Sequence, residues 1–151
     1  MDGPVSSRGA TAALYPRPMP DHITIGAGLS MGGSEPVISD GVRSGDLLFL
    51  SGRAAVDPVT LEVVSDSFAE QTAFVLGEIG TVLEAAGAGW GDVLRVECHL
   101  ADGADFPAWN RAWCERFDPP RPARMTLVLS FPMPGILIEL QVTARVPGSG
   151  S

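Results

Sequence analysis

At 151 residues, with 45% apolar and 19% charged side chains, the chain is long enough and mixed enough for one soluble domain with its own core. Its net charge is −8 and it holds no lysine, so its scattered arginines do not form the clustered cationic surface that nucleic acid requires, and no nucleic-acid partner is expected. No apolar run nears the roughly 20 residues that cross a bilayer and no leader pattern opens the chain, which leaves no membrane partner and a cytoplasmic location as the expectation.

Residues 1–34 carry Pro4, Pro16, Pro18 and Pro20 among small polar groups and are expected to form a partly flexible arm. Within it, His22 to Ile25 suits a short edge strand, and the glycines from Gly26 onward read as a loop. An ordered domain is expected over 35–146, followed by a disordered tail over 147–151. Val42 to Ser51, with Leu47-Leu48-Phe49-Leu50 at its centre, predicts one largely buried strand. Asp57-Pro58-Val59-Thr60 is turn chemistry, and Leu61 to Val64 reads as a short returning strand.

Ser67 to Ala86 places Phe68, Thr72, Val75, Leu76, Ile79, Val82, Leu83 and Ala86 at three- and four-residue steps, the stripe of a core-facing helix. Asp66 or Ser67 can cap it and Gly87 can end it. Asp92 to Ala101 alternates as a half-buried strand, with Val96, Cys98 and Leu100 against Arg95, Glu97 and His99. Asp105 to Phe117 is a second helix whose tryptophans, Trp109 and Trp113, suit core packing. After Pro119, Pro120 and Pro122, strands are expected over Arg124 to Ser130 and Ile136 to Val146. This order predicts an α+β domain, a mixed β-sheet with two helices on one face. The other sheet face is not uniformly polar, and self-association is the simplest way to cover it.

Cys98 and Cys114 are expected as free thiols, and the two histidines have no metal-ligand spacing, so no metal and no cofactor are expected. Two strands that are otherwise mostly apolar each carry one ionisable group. Glu139 lies in Gly-Ile-Leu-Ile-Glu-Leu-Gln-Val, where aliphatic neighbours limit its hydration and suit it to proton transfer. A structural glutamate paired with an arginine fits the same pattern. Arg124 follows Pro-Ala at a strand start and suits bidentate capture of a carboxylate, or simple exposure to solvent. A tight hairpin about Pro132-Met133-Pro134-Gly135 would set Arg124 opposite Thr143, four residues or about 13 Å along the strand from the position facing Glu139. Both groups then reach one ligand only with a shifted register, a bridging ligand or a subunit boundary.

Several blocks, in this order and spacing, resemble the Rid/YjgF family of enamine and imine deaminases. They are Val42 to Arg53, Asp57-Pro58 with Glu62, Glu70 to Gly87, Asp105-Phe106, Trp109-Asn110, Phe117, Pro122-Ala123-Arg124 and Ile138-Glu139. The resemblance implies a chorismate-mutase-like fold and a homotrimer with clefts between subunits. It implies that Arg124 holds the carboxylate of a small-molecule substrate and that Glu139 serves the hydrolytic water and proton transfer, with Ser51, Gly52 and Asn110 lining the pocket. No cofactor is implied. Three positions depart from the family pattern: Ile38 stands where a tyrosine is common, Thr126 where a cysteine is common, and Leu61 where a glycine is usual. Ile38 and Thr126 remain candidate substrate-binding positions. The implied activity is hydrolysis of 2-aminoacrylate-like or related imino acids to 2-keto acids and ammonia. A specialised-metabolite deaminase, cyclase or isomerase using the same cleft, and a non-catalytic ligand-binding trimer, are the alternatives.

Overall fold

The computed structural model describes residues 21–23 and 37–148. The rest of the expected arm and the end of the expected tail lie outside the described residues. One mixed sheet is formed by β1 (Asp21–Ile23), β2 (Gly41–Ser44), β3 (Leu47–Leu50), β4 (Arg53–Ala54), β5 (Val93–Leu100), β6 (Ala123–Val128) and β7 (Ile138–Arg145). Two helices, α1 (Phe68–Ala85) and α2 (Phe106–Arg116), supply the other layer. The strand order is β1-β2-β3-β7-β5-β6, with β4 pairing on β7.

The run from Val42 to Ser51 is not one strand. Ser44 pairs with Leu47, so β2 and β3 form a hairpin. Gly45 turns the chain at φ +63, a conformation that a residue with a Cβ adopts at a cost. β3 is not buried on both faces: Leu48 and Leu50 enter the core, whereas Leu47 and Phe49 are 41% and 44% exposed. The expected strand at Leu61 to Val64 is reduced to one bridge, Val56 to Val63. Leu61 itself sits at φ 60, which breaks any extended run. The preceding turn forms as read, with Asp57 Oδ1 accepting from the backbone N–H groups of Val59 and Thr60 at 2.8 Å each.

α1 begins at Ser67, whose hydroxyl accepts from the Glu70 N–H at 3.4 Å. It ends before Gly87, at φ +77. Its buried face comprises Gln71, Thr72, Val75, Leu76, Ile79, Val82 and Leu83. Each fully buried aliphatic side chain of this kind contributes roughly 1.5–3 kcal/mol. Gln71 is the polar member, and it is satisfied on both sides of its amide. Its Nε2 donates to the carbonyls of Ser65 and Gly135, and its Oε1 accepts from the Leu137 N–H at 2.9 Å. Those bonds tie the loop before β7 to α1, and so fix where β7, and with it Glu139, begins.

α2 packs Trp109 and Trp113 into the same core. Trp113 lies 4.5 Å from Phe117 and 5.9 Å from Trp109, centroid to centroid. Cys98 and Cys114 are both free thiols. β6 and β7 do not form the hairpin considered above. β5 lies between them, parallel to β6 and antiparallel to β7. β6 is therefore an edge strand, and its neighbourhood exposes Leu127, Val128 and Leu129. Among the described residues no helix is long and apolar enough to cross a membrane.

Candidate active site

Register decides which side chains share a face. On β7, Ile138, Leu140 and Val142 are buried under the helices and pair with Leu100, Cys98 and Val96 of β5. Those three pair in turn with Val128, Thr126 and Arg124 of β6. Directly paired residues project to the same side, so Arg124 and Thr126 point to the helix-covered face. Glu139 pairs with His99, and His99 with Leu127, on the opposite face. Within one chain the structure does not bring Arg124 and Glu139 together. It divides the candidate residues into two groups.

The first group surrounds Arg124. Its Nη1 donates to Asn110 Oδ1 on α2 at 2.8 Å. Its guanidinium lies over the rings of Phe106 and Trp113, at 5.7 and 5.2 Å from their centroids. Ring contacts of this kind are worth about 0.5–1 kcal/mol at an exposed site. Arg124 forms no ion pair among the described residues. A guanidinium oriented by a neutral amide and two ring faces keeps its charge and its remaining donors for an anion. Thr126 lies two residues along the same face. Its Oγ1 is buried and has no hydrogen-bond partner among the described residues. Its neighbour across the ladder is Cys98, whose thiol is pushed up to about 12 by burial, with the Arg124 charge opposing. Cys98 therefore stays protonated and is no nucleophile.

The second group surrounds Glu139, which is half-buried and makes no hydrogen bond or ion pair among the described residues. Gly52 packs directly on it, and a methyl group on Gly52 would overlap the carboxylate. The absence of a Cβ is what allows this approach. Ser51 Oγ donates to the Ser39 carbonyl at 2.6 Å, and the Ser51 N–H donates to the Asp40 carbonyl at 3.0 Å. Ile38, next to Ser39 in the chain, is 48% exposed.

Sequence reasoning did not find Phe106 and Trp113 as the platform for Arg124. Their helical spacing from Asn110 was visible, but nothing in it showed which strand α2 crosses. It also did not find the ion pair between Arg53 and the buried Asp40. A groove of about 430 Å3 lies between α1 and α2, bordered by Phe68, Leu76, Arg111 and Arg116. It contains none of the candidate residues.

The chain matches the family model described as endoribonuclease L-PSP over residues 35–146. It is 41% identical to a RutC family protein of Saccharolobus solfataricus, over 71% of this chain and 85% of that one. It is 36% identical to Reactive Intermediate Deaminase A, chloroplastic, of Arabidopsis thaliana, over 72% of this chain and 58% of that one. Among solved structures it resembles RidA from a Psychrobacter species, with a TM-score of 0.71 at 26% identity, covering 83% of this chain and 99% of that one. With the sheet, the two helices and the matched span in agreement, the chain belongs to the endoribonuclease L-PSP family, the group that also carries the names YjgF and Rid.

Proposed function

We propose that the protein is an enamine and imine deaminase, converting 2-aminoacrylate-like or related imino acids to 2-keto acids and ammonia in clefts between the subunits of a homotrimer. One observation carries this reading. Among the described residues, a clamped arginine without a carboxylate partner and a carboxylate without a hydrogen-bond or ion-pair partner project from opposite faces of one sheet. A site using both requires a second copy of the chain. The exposed edge strand β6, with Leu127, Val128 and Leu129, and the exposed Leu47 and Phe49 on β3 supply surface for that association. The name of the Arabidopsis relative supports the chemistry.

In this mechanism Arg124 holds the substrate carboxylate, and Asn110 keeps the guanidinium oriented. Protonation of the enamine carbon by solvent gives the iminium form of the imine. Glu139 of a neighbouring copy accepts a proton as water adds to the imine carbon, then returns it to the nitrogen. The carbon–nitrogen bond breaks as the hydroxyl releases its proton to solvent, and ammonia and the 2-keto acid leave. The protein needs only charge and proton transfer for these steps. Ribonuclease action, which the family description names, is disfavoured by a chain with net charge −8 and no lysine.

The test is release of pyruvate from enzymatically generated 2-aminoacrylate. Purified protein is expected to accelerate it, and Arg124→Ala and Glu139→Gln are each expected to abolish most of the acceleration. No acceleration over the spontaneous reaction, for this and several bulkier imino acids, removes the proposal. Exposed Ile38, at the position where the family resemblance implies a tyrosine, favours a second reading: a tailoring enzyme for a specialised metabolite. Turnover of a bulkier specialised metabolite with negligible 2-aminoacrylate turnover would select it.

A further inference from the structure

We infer that the Asp40–Arg53 ion pair is a positioning device for Glu139, acting through the Gly52 peptide; this rests on the reading of Glu139 as the proton-transferring group. Gly52 lies so close to the Glu139 carboxylate that a Cβ on it would overlap the carboxylate oxygen. Both of its neighbours are tied to one dipeptide, Ser39-Asp40. Ser51 bonds it twice, through Oγ to the Ser39 carbonyl at 2.6 Å and through its N–H to the Asp40 carbonyl at 3.0 Å. Arg53 bonds it once, through Nη2 to the Asp40 carboxylate. The strand register continues the same frame, with Arg53 opposite Leu140 and Ala54 opposite Glu139.

Stability alone is a poor reason for this pair. Asp40 is 5% exposed, and the buried Arg53 Nε has no hydrogen-bond partner among the described residues. Replacing a buried pair by well-packed neutral residues is often neutral or stabilising, and an unsatisfied donor adds to the cost of keeping it. What the pair supplies is direction: a charge-assisted bond fixes Arg53, and therefore the Gly52 peptide, at one distance from β7. With the pair broken, only the short β4–β7 ladder holds the Arg53 side of Gly52, and the wall beside the Glu139 carboxylate is less firmly placed.

The experiment compares Arg53→Gln, Arg53→Lys, Asp40→Asn and the double variant Asp40→Asn/Arg53→Gln with the parent. Each neutralised single variant is expected to lower kcat about 10-fold with KM changed less than about 3-fold, the split expected when a transition-state interaction is lost. The double variant, whose two amides hydrogen-bond without charge, and Arg53→Lys are expected to recover most of kcat. The Gly52 amide and Glu139 carboxyl-carbon NMR resonances are expected to move in the singles and return in the double. Unchanged kcat in the folded singles, a loss confined to KM, or resonances that stay at their parent positions overturns the inference. If the parent hydrolyses no imine, the proposed function fails, while the resonances still decide whether the pair positions Glu139. Should Asp40→Asn fail to fold, the two Arg53 variants carry the same test.

Discussion

Arg124 and Glu139 stand two strands apart in one sheet and project from its opposite faces. If each cleft takes its arginine from one subunit and its glutamate from the next, inactive variants should complement each other. Arg124→Ala subunits retain Glu139, and Glu139→Gln subunits retain Arg124. Refolded together in equal amounts, they are expected to recover about a quarter of parent activity, since one interface in four pairs the two intact groups in a symmetric ring. The check is 2-keto acid release from the mixture against each variant refolded alone. Activity no greater than the sum of the separate variants would mean that the two groups do not meet across an interface.

Gly52 and Glu139 make the second testable contact. The carboxylate is the far end of a flexible side chain, so Gly52→Ala should displace it rather than unfold the protein. A cost of about 1–3 kcal/mol is expected, typical of an inserted methyl group, together with a large loss of kcat. In a Glu139→Ala background the same substitution should cost little, because the obstructing group is gone. Urea denaturation of the four variants measures this coupling. A full cost in both backgrounds would place the strain elsewhere.

Much of the fold was legible because amphipathic periodicity is a local signal. The stripe from Phe68 to Leu83 and the alternation from Val93 to Leu100 each needed only their own residues. The hairpin at Gly45 was not legible, because a glycine between apolar residues looks the same whether it flanks a strand or reverses the chain. Strand neighbours were not legible either. Periodicity assigns a side chain to a face, but β5 separates β6 from β7 through pairings distant in sequence. The partition of the candidates therefore emerged only with the register, although each residue had been identified. The Asp40–Arg53 pair joins positions 13 apart through a hairpin that was itself unread.

Leu61 occupies a left-handed conformation at φ 60 and is partly exposed at 38%. A side chain in that region costs roughly 1–2 kcal/mol. Part of the gain from glycine is offset by the greater freedom of its unfolded chain. Leu61→Gly is expected to stabilise the fold by about 0.5 kcal/mol, or roughly 1–2 °C in Tm for a domain of this size. Leu61→Ala keeps the strain and should give no gain. A destabilised glycine variant would show that contacts of the leucine side chain outweigh the backbone strain.

Asp57 gives this loop a pH dependence. Backbone N–H groups of Thr60 and Val59 hold its carboxyl below the usual carboxylate range. The folded state therefore binds this proton less readily than the unfolded state. The resulting stabilisation is complete above the unfolded carboxyl's range and is lost as pH falls through the folded value. Asp57→Asn, which cannot ionise, should flatten the acid limb of the stability curve below about pH 4. Thermal melts across that range check the sign, and parallel curves for the two proteins would remove Asp57 as a contributor.

The two thiols should separate kinetically. Cys114 is exposed on α2, whereas Cys98 is fully buried beneath the Arg124 row, with its thiol pushed up to about 12. At pH 8 a thiol with that value is ionised to only about one part in ten thousand, and burial also denies access to the reagent. Ellman's reagent is expected to titrate one thiol per chain quickly and the second only after denaturation. Cys114→Ser should abolish the fast phase, and Cys98→Ala should leave it intact. A rapid reaction of both thiols in the folded parent would mean that α2 lifts from the sheet, and the platform that orients Arg124 would then be mobile as well.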